Sequence, residues 1–361
     1  MTGRQRRLAF GFGLLLAAEL LARLYLFATA GEGRMLTPDP GRLWRLGPPN
    51  VSGQHYSVDD DGFRASAVEA AADAPLILTL GDSSVFGHAV DDGEAIHDGM
   101  QASLAALGVS ARVRTLAVPG YSTVQTLRVM DELGWALQPR VLVIGSLWSD
   151  STLDVVRDLD LYAAYAHPVA RIELLLTNLS LFRVTRRTLN GLRGLPAERT
   201  ISWPQPGDTG LRRVPVQDYA ANMEFMVSQA QERGIGVVIL ALASNAMTGR
   251  GRDSSDPAYP YQDVQYRVAD AHNLPYVDMV RVFRSSGMTL NQLYGDDLHP
   301  SGTGSTLLGQ AIASALVETG FPGRVTIPTP APPVLAGSDR WDGAAVADHR
   351  SVAGDLATGN L

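Results

Sequence analysis

The chain contains no cysteine. Disulfide scaffolds, thiolate metal sites and a cysteine nucleophile are thereby excluded. Lysine is missing too: all 30 basic residues are arginine, set against 37 acidic ones, for a net charge of −7. Such a balance supplies no basic stripe of the kind a phosphate backbone demands, so nucleic acid is not an expected partner. The lysine deficit itself reads as the coding bias of a GC-rich genome rather than as chemistry. No internal repeat is evident. At 361 residues, with 45% apolar and 19% charged side chains, the composition is that of a globular protein with room for one large domain and appendages.

The one long apolar run stands at the N-terminus. Arg4, Arg6 and Arg7 precede Leu8 to Ala30, about 20 mostly apolar residues that at ~1.5 Å per residue suffice to cross a bilayer. The arginines should stay in the cytoplasm, which sends the rest of the chain outside. Glu19 and Arg23 interrupt the run but stand at i,i+4, where they can pair. Ala28-Thr-Ala30 resembles a signal-peptidase site, yet the run is long for a cleaved signal. The expectation is a single-pass membrane protein with an extracytoplasmic domain, with secretion after cleavage as the alternative.

Residues 31–70 hold several prolines without sustained periodicity and read as a linker ending in a docking segment at Tyr56 to Arg64. From 75 onward, short β-branched or leucine runs alternate with amphipathic stretches, the pattern of βαβ units and a parallel sheet. Strands are expected at 75–80, 112–118, 140–146, 235–243 and 275–279, and helices near 94–107, 123–137, 216–233, 259–272 and 302–319. This predicts a three-layer α/β/α domain over 71–322. An insertion at about 155–215 interrupts it, apolar and helical in its first half, with Trp203 to Asp208 as loop. Such an insertion either caps a site or touches a membrane, or packs as an extra helix pair on the domain's flank. The stretch 323–361 reads as a disordered tail.

In an open parallel sheet, ligands bind beyond the strand C-termini. Leu80-Gly-Asp-Ser-Ser-Val-Phe-Gly87 follows the first strand and puts Ser83 there. A serine hydroxyl attacks a carbonyl only if a neighbouring base takes its proton, and an imidazole held by a carboxylate can do so. Asp296-Asp-Leu-His299-Pro300 precedes the last helix and offers that pair. Gly120, in Val118-Pro-Gly-Tyr-Ser122 after the second strand, allows a backbone N–H to approach a ligand and, with the Ser83 N–H, to hold an oxyanion. Trp148-Ser-Asp150 leaves the third strand at the same edge. Each motif alone has a plainer reading: helix cap, helix-entry turn, structural histidine. Four at successive strand ends favour a site.

Other patterns are weaker. Ser57 to Gly62 has the outline of a calcium loop but lacks its first aspartate and its final glutamate, which would fall at Val68. Asp150, Asp154 and Asp158, four residues apart, suggest a solvated acidic helix face. His88, His97, His167 and His272 have no partner that spacing suggests.

Together the motifs resemble the SGNH (GDSL-type) hydrolase family over roughly residues 56–320. Tyr56 to Arg64 is similar to the segment preceding the first block in membrane-anchored bacterial members, Leu80 to Val90 to the first block, Val118 to Ser122 to the second, and Asp296 to His299 to the last. The resemblance implies a flavodoxin-like sheet, a Ser83–His299–Asp296 triad, and neither metal nor cofactor. The third block departs from the pattern: Ser149 stands where the family has an oxyanion-binding asparagine. Serine donates through a shorter arm, so Ser149 is a provisional second oxyanion donor beside Gly120. The resulting expectation is a serine esterase or deacylase acting on ester bonds of a lipid or an acylated carbohydrate. The alternatives are an O-acyltransferase acting on envelope or exported polysaccharide with the same triad, and a non-catalytic glycan-binding relative.

Overall fold

The computed structural model describes residues 2–30, 35–39, 41–47, 56–88, 90–193 and 210–322. The expected loop at 203–208 and the expected tail from 323 lie outside these residues.

Five strands form a fully parallel sheet: β3 (Leu76–Gly81), β4 (Arg112–Thr115), β5 (Val141–Gly145), β6 (Gly236–Ala241) and β7 (Tyr276–Asp278), in the order β4-β3-β5-β6-β7. Counted within the sheet this is the 2-1-3-4-5 order of flavodoxin-like folds. β3 and β5 are buried along their whole length, which explains why they read as continuous apolar runs rather than alternating ones. Helices Ile96–Ala106 and Gly302–Glu318 pack on each other over one face. Helices Thr123–Val129, Val216–Glu232 and Tyr259–Ala271 cover the other. Each lies within the stretch its amphipathic period predicts, and the domain is the expected three-layer α/β/α sandwich.

The strand order reverses between β3 and β5, and there the loops leave the two parallel strand ends side by side. Gly81 and Gly145 are register partners. A Cβ on either would come within 2.7 Å of Val85 Cγ2, so the two glycines let the short helix Ser83–Phe86 settle directly on the strand ends.

One feature is not legible in the sequence. Before β3, strands β1 (Leu36–Asp39) and β2 (Leu43–Leu46) pair as an antiparallel hairpin inside the expected linker, with Leu43, Trp44 and Leu46 in the core. Four-residue strands with a proline in one are too short to show a period. The insertion contains three helices, Asp158–Ala166, Pro168–Leu176 and Ser180–Leu192. At the N-terminus, Gly3–Ala30 is one helix, long and apolar enough over Gly3–Leu26 to cross a membrane.

Candidate active site

Ser83 opens the helix after β3, and its turn is fixed by Asp82. As N-cap, the Asp82 carboxylate accepts the Ser84 N–H at 3.0 Å. Its second oxygen accepts the Trp148 N–H at 2.8 Å and, more distantly, those of Leu147 and Ser149, both at 3.4 Å. One buried carboxylate thus ties the serine turn to the loop leaving β5. Burial pushes the Asp82 carboxyl up, against the hydrogen bonds from the Ser84 and Trp148 amides and the attraction of His299. The cap is legible in the sequence; the bridge to Trp148, 66 residues on, is not.

His299 and Asp296 occupy a tight loop closed by the Tyr294–Pro300 bridge and by the Gly295 N–H donating to His299 O at 2.9 Å. Asp296 Oδ1 accepts the backbone N–H groups of Leu298 at 2.8 Å and His299 at 2.7 Å. Its Oδ2 lies 2.7 Å from His299 Nδ1, and His299 Nε2 lies 2.8 Å from Ser83 Oγ. Burial works to raise the Asp296 carboxyl, but the bonds and charge of His299 outweigh it and hold it at about 2. Asp296 is therefore an acceptor at neutral pH, so Nδ1 carries the imidazole proton and Nε2 accepts from the serine hydroxyl. His299 is itself buried.

Gly120 has φ of +80° in the turn after β4, a conformation that suits glycine, and a Cβ there would press on Trp44 at 3.2 Å. Trp44 braces this turn: its indole N–H donates to Pro119 O at 3.1 Å, and the Tyr121 hydroxyl donates back to Trp44 O at 2.9 Å. The unforeseen hairpin is thus what holds the second motif. Ser149 is buried in the short helix Trp148–Ser151, its N–H facing Asp82.

From the docking segment, Arg64 reaches beneath the serine turn. Its guanidinium donates to Phe86 O at 3.3 Å, Gly87 O at 2.7 Å and Val90 O at 3.0 Å, fully buried between the Tyr56 and Phe86 rings. It satisfies the carbonyls that end the Ser83–Phe86 helix.

Two expectations are corrected. His88 does have a neighbour: its ring lies against that of His299, centroids 4.7 Å apart, and burial with the nearby His299 lowers it to about 4. It is therefore neutral at pH 7. The aspartates at 150, 154 and 158 are not a solvated helical face, because the helix stops at Ser151 and resumes at Asp158. Asp150 accepts from the Thr123 N–H at 2.9 Å and hydroxyl at 2.6 Å, and Asp158 pairs in the core with Arg213 at 2.8 Å and accepts from Ser122 at 2.7 Å. Their partners lie far along the chain, beyond the reach of spacing arguments. Asp59 and Asp61 of the calcium-like loop both pair with Arg114. Among the described residues, no group of three or more His, Asp and Glu side chains is arranged to hold a metal ion.

Residues 208–307 match the family model described as the GDSL-like lipase/acylhydrolase family. The chain carries a GDSL-like hydrolase domain. As such it is a hydrolase acting on ester bonds. The matched stretch contains Asp296 and His299; Ser83 lies before it. Solved structures with similar folds include a lipase/acylhydrolase from Enterococcus faecalis, 18% identical with a TM-score of 0.44, over 70% of this chain and 98% of that one. They also include Axe2, an acetylxylan esterase from Geobacillus stearothermophilus, 16% identical with a TM-score of 0.44, over 70% of this chain and 97% of that one. A third is LAE5, an α/β hydrolase enzyme from the metagenome of Lake Arreo, Spain, 15% identical with a TM-score of 0.45, over 68% of this chain and 95% of that one. No match was found among curated proteins.

Proposed function

We propose that this GDSL-like hydrolase is a membrane-held, extracytoplasmic serine esterase or deacylase that cleaves carboxylic esters through an acyl-enzyme on Ser83. The observation that carries the reading is the continuous chain Ser83 Oγ, His299 Nε2, His299 Nδ1, Asp296 Oδ2, at 2.8 and 2.7 Å. As the Ser83 oxygen attacks the ester carbonyl, its proton passes to His299 Nε2. Asp296, ionised and fixed by two backbone N–H groups, holds the ring and stabilises the imidazolium that forms. The oxyanion is received by the Ser83 and Gly120 N–H groups, with Ser149 as a further donor. His299 then protonates the leaving alcohol. In the second half a water gives its proton to Nε2 and attacks the acyl carbon, and Ser83 departs with the proton returned. Asp82 and Arg64 leave the chemistry alone and keep the serine turn in place.

The N-terminal helix, with Arg4, Arg6 and Arg7 in its first turns ahead of the apolar run, supports anchoring with the domain outside. Lipid esters and acylated carbohydrates are the substrate classes proposed, and nothing in the site favours transfer to a sugar over transfer to water. The test is hydrolysis of short-chain p-nitrophenyl esters by the full chain in detergent. Ser83→Ala and His299→Ala are each expected to lose about 10⁴-fold or more in kcat, and Asp296→Asn on the order of 10³- to 10⁴-fold. Full activity in Ser83→Ala overturns the reading.

A further inference from the structure

Glu19 stands in the middle of an apolar helix, yet it is spoken for. Its two carboxylate oxygens accept the backbone N–H groups of Ser180 at 3.0 Å and Leu181 at 2.9 Å, and Arg23 Nε donates to it at 2.9 Å. The two amides belong to the first turn of helix Ser180–Leu192, so a residue of the N-terminal helix caps a helix of the insertion. Burial shows how the two run. Among the described side chains of this half, Ala18, Ala22 and Leu26, four residues apart, and Glu19 beside them are shielded, whereas Leu8, Phe12 and Leu15 are exposed. Helix Ser180–Leu192 therefore starts level with Glu19 and lies along the C-terminal half of Gly3–Ala30. The helix before it, Pro168–Leu176, touches β1 and exposes Val169, Ile172, Leu175 and Leu176, with Arg171 as the exposed charge among them, and Leu179 continues the apolar part of that surface into the turn.

A depth follows from these contacts. A hydrocarbon layer of ~30 Å entered at Leu8 ends about 20 residues later, and Glu19 then lies ~16 Å in, near mid-bilayer. Whatever binds Glu19 lies at that depth. We infer that residues 168–192 form a helical hairpin inserted into the outer leaflet beside an N-terminal helix that is retained in the mature protein. This deepens the anchored reading above and rests on it. The occupant of the hairpin's apolar surface is the acyl-chain region of the bilayer. Helix Ser180–Leu192 carries Arg183, Arg186 and Arg187 and no acid, and these stand one to two turns further toward the membrane surface, within reach of lipid phosphates. Glu19, paired and capped, meets the requirement that an acid within the bilayer be satisfied internally. Cleavage after Ala30 would strip helix Ser180–Leu192 of its cap.

The absence of cysteine makes single-cysteine probes clean. Leu14→Cys, Ile172→Cys, Leu179→Cys and, as an exposed apolar control on the globular domain, Leu107→Cys are labelled with bimane in the full chain. Each is reconstituted into phosphatidylethanolamine–phosphatidylglycerol vesicles containing doxyl lipids. Lipid quenching at 14, 172 and 179 with none at 107, together with an intact N-terminus by mass spectrometry, supports the hairpin. Aqueous iodide quenching at 172 and 179 with lipid quenching kept at 14 overturns the hairpin while the anchor stands. Aqueous quenching at 14, or a mature chain lacking residues 1–30, overturns both. Glu19→Leu, which keeps the anchor apolar, is expected to lose lipid quenching at 179 and to keep it at 14; unchanged quenching at 179 would overturn the capping role.

Discussion

At the scale of single residues, the site depends on which groups are charged at neutral pH. His88 lies against His299, and in the fold it binds its proton only near pH 4, against 6.5 for an ordinary imidazole. A depressed histidine contributes stability that is fully present above about pH 6.5 and is lost as pH falls through about 4, by at most about 3 kcal/mol. Thermal melts between pH 7 and pH 4 should therefore show a shallower acid-side loss for His88→Gln than for the wild type. Equal slopes would remove His88 from the account. Ser149 poses a kinetic question. Its hydroxyl is a shorter donor than an amide, and loss of an oxyanion donor costs on the order of 10²- to 10³-fold in kcat. Ser149→Asn is expected to raise kcat with little change in KM on a p-nitrophenyl ester; an unchanged or lower kcat would show that Ser149 does not serve the oxyanion.

At the scale of elements, the short Ser83–Phe86 helix is too small to hold itself and is clamped from both ends, by Asp82 at its start and Arg64 beyond its end. Arg64→Leu leaves three carbonyls without their buried donor and is expected to destabilise the fold by on the order of 3 kcal/mol, read from urea denaturation. A loss within experimental error would mean that the clamp is dispensable. The same elements show what a sequence can and cannot tell. β3, β5 and β6, the long amphipathic helices and the serine and histidine loops were legible, because apolar period and turn chemistry are local. The β1–β2 hairpin was not, since its strands are four residues each and the partners of its Trp44, Pro119 and Tyr121, lie 75 and 77 residues on. His88 and the buried aspartates were missed for a related reason. Their contacts are made by topology, and spacing along the chain carries no trace of them.

At the scale of the molecule, sheet order explains why the motifs meet. With β3 and β5 adjacent and the chain turning to opposite sides of them, the ends of both strands open onto one crevice, and the last helix returns across the same face carrying His299 at its entrance. The insertion follows directly on the Trp148–Ser151 helix, which Asp82 ties to the serine turn. The central claim, that Ser83 is the nucleophile, is tested most directly by treating the full chain in detergent with a fluorophosphonate and mapping the modified peptide by mass spectrometry. The account predicts stoichiometric phosphonylation of Ser83, abolished in Ser83→Ala and much slowed in His299→Ala. A label on any other residue, or none on a folded protein, would contradict it.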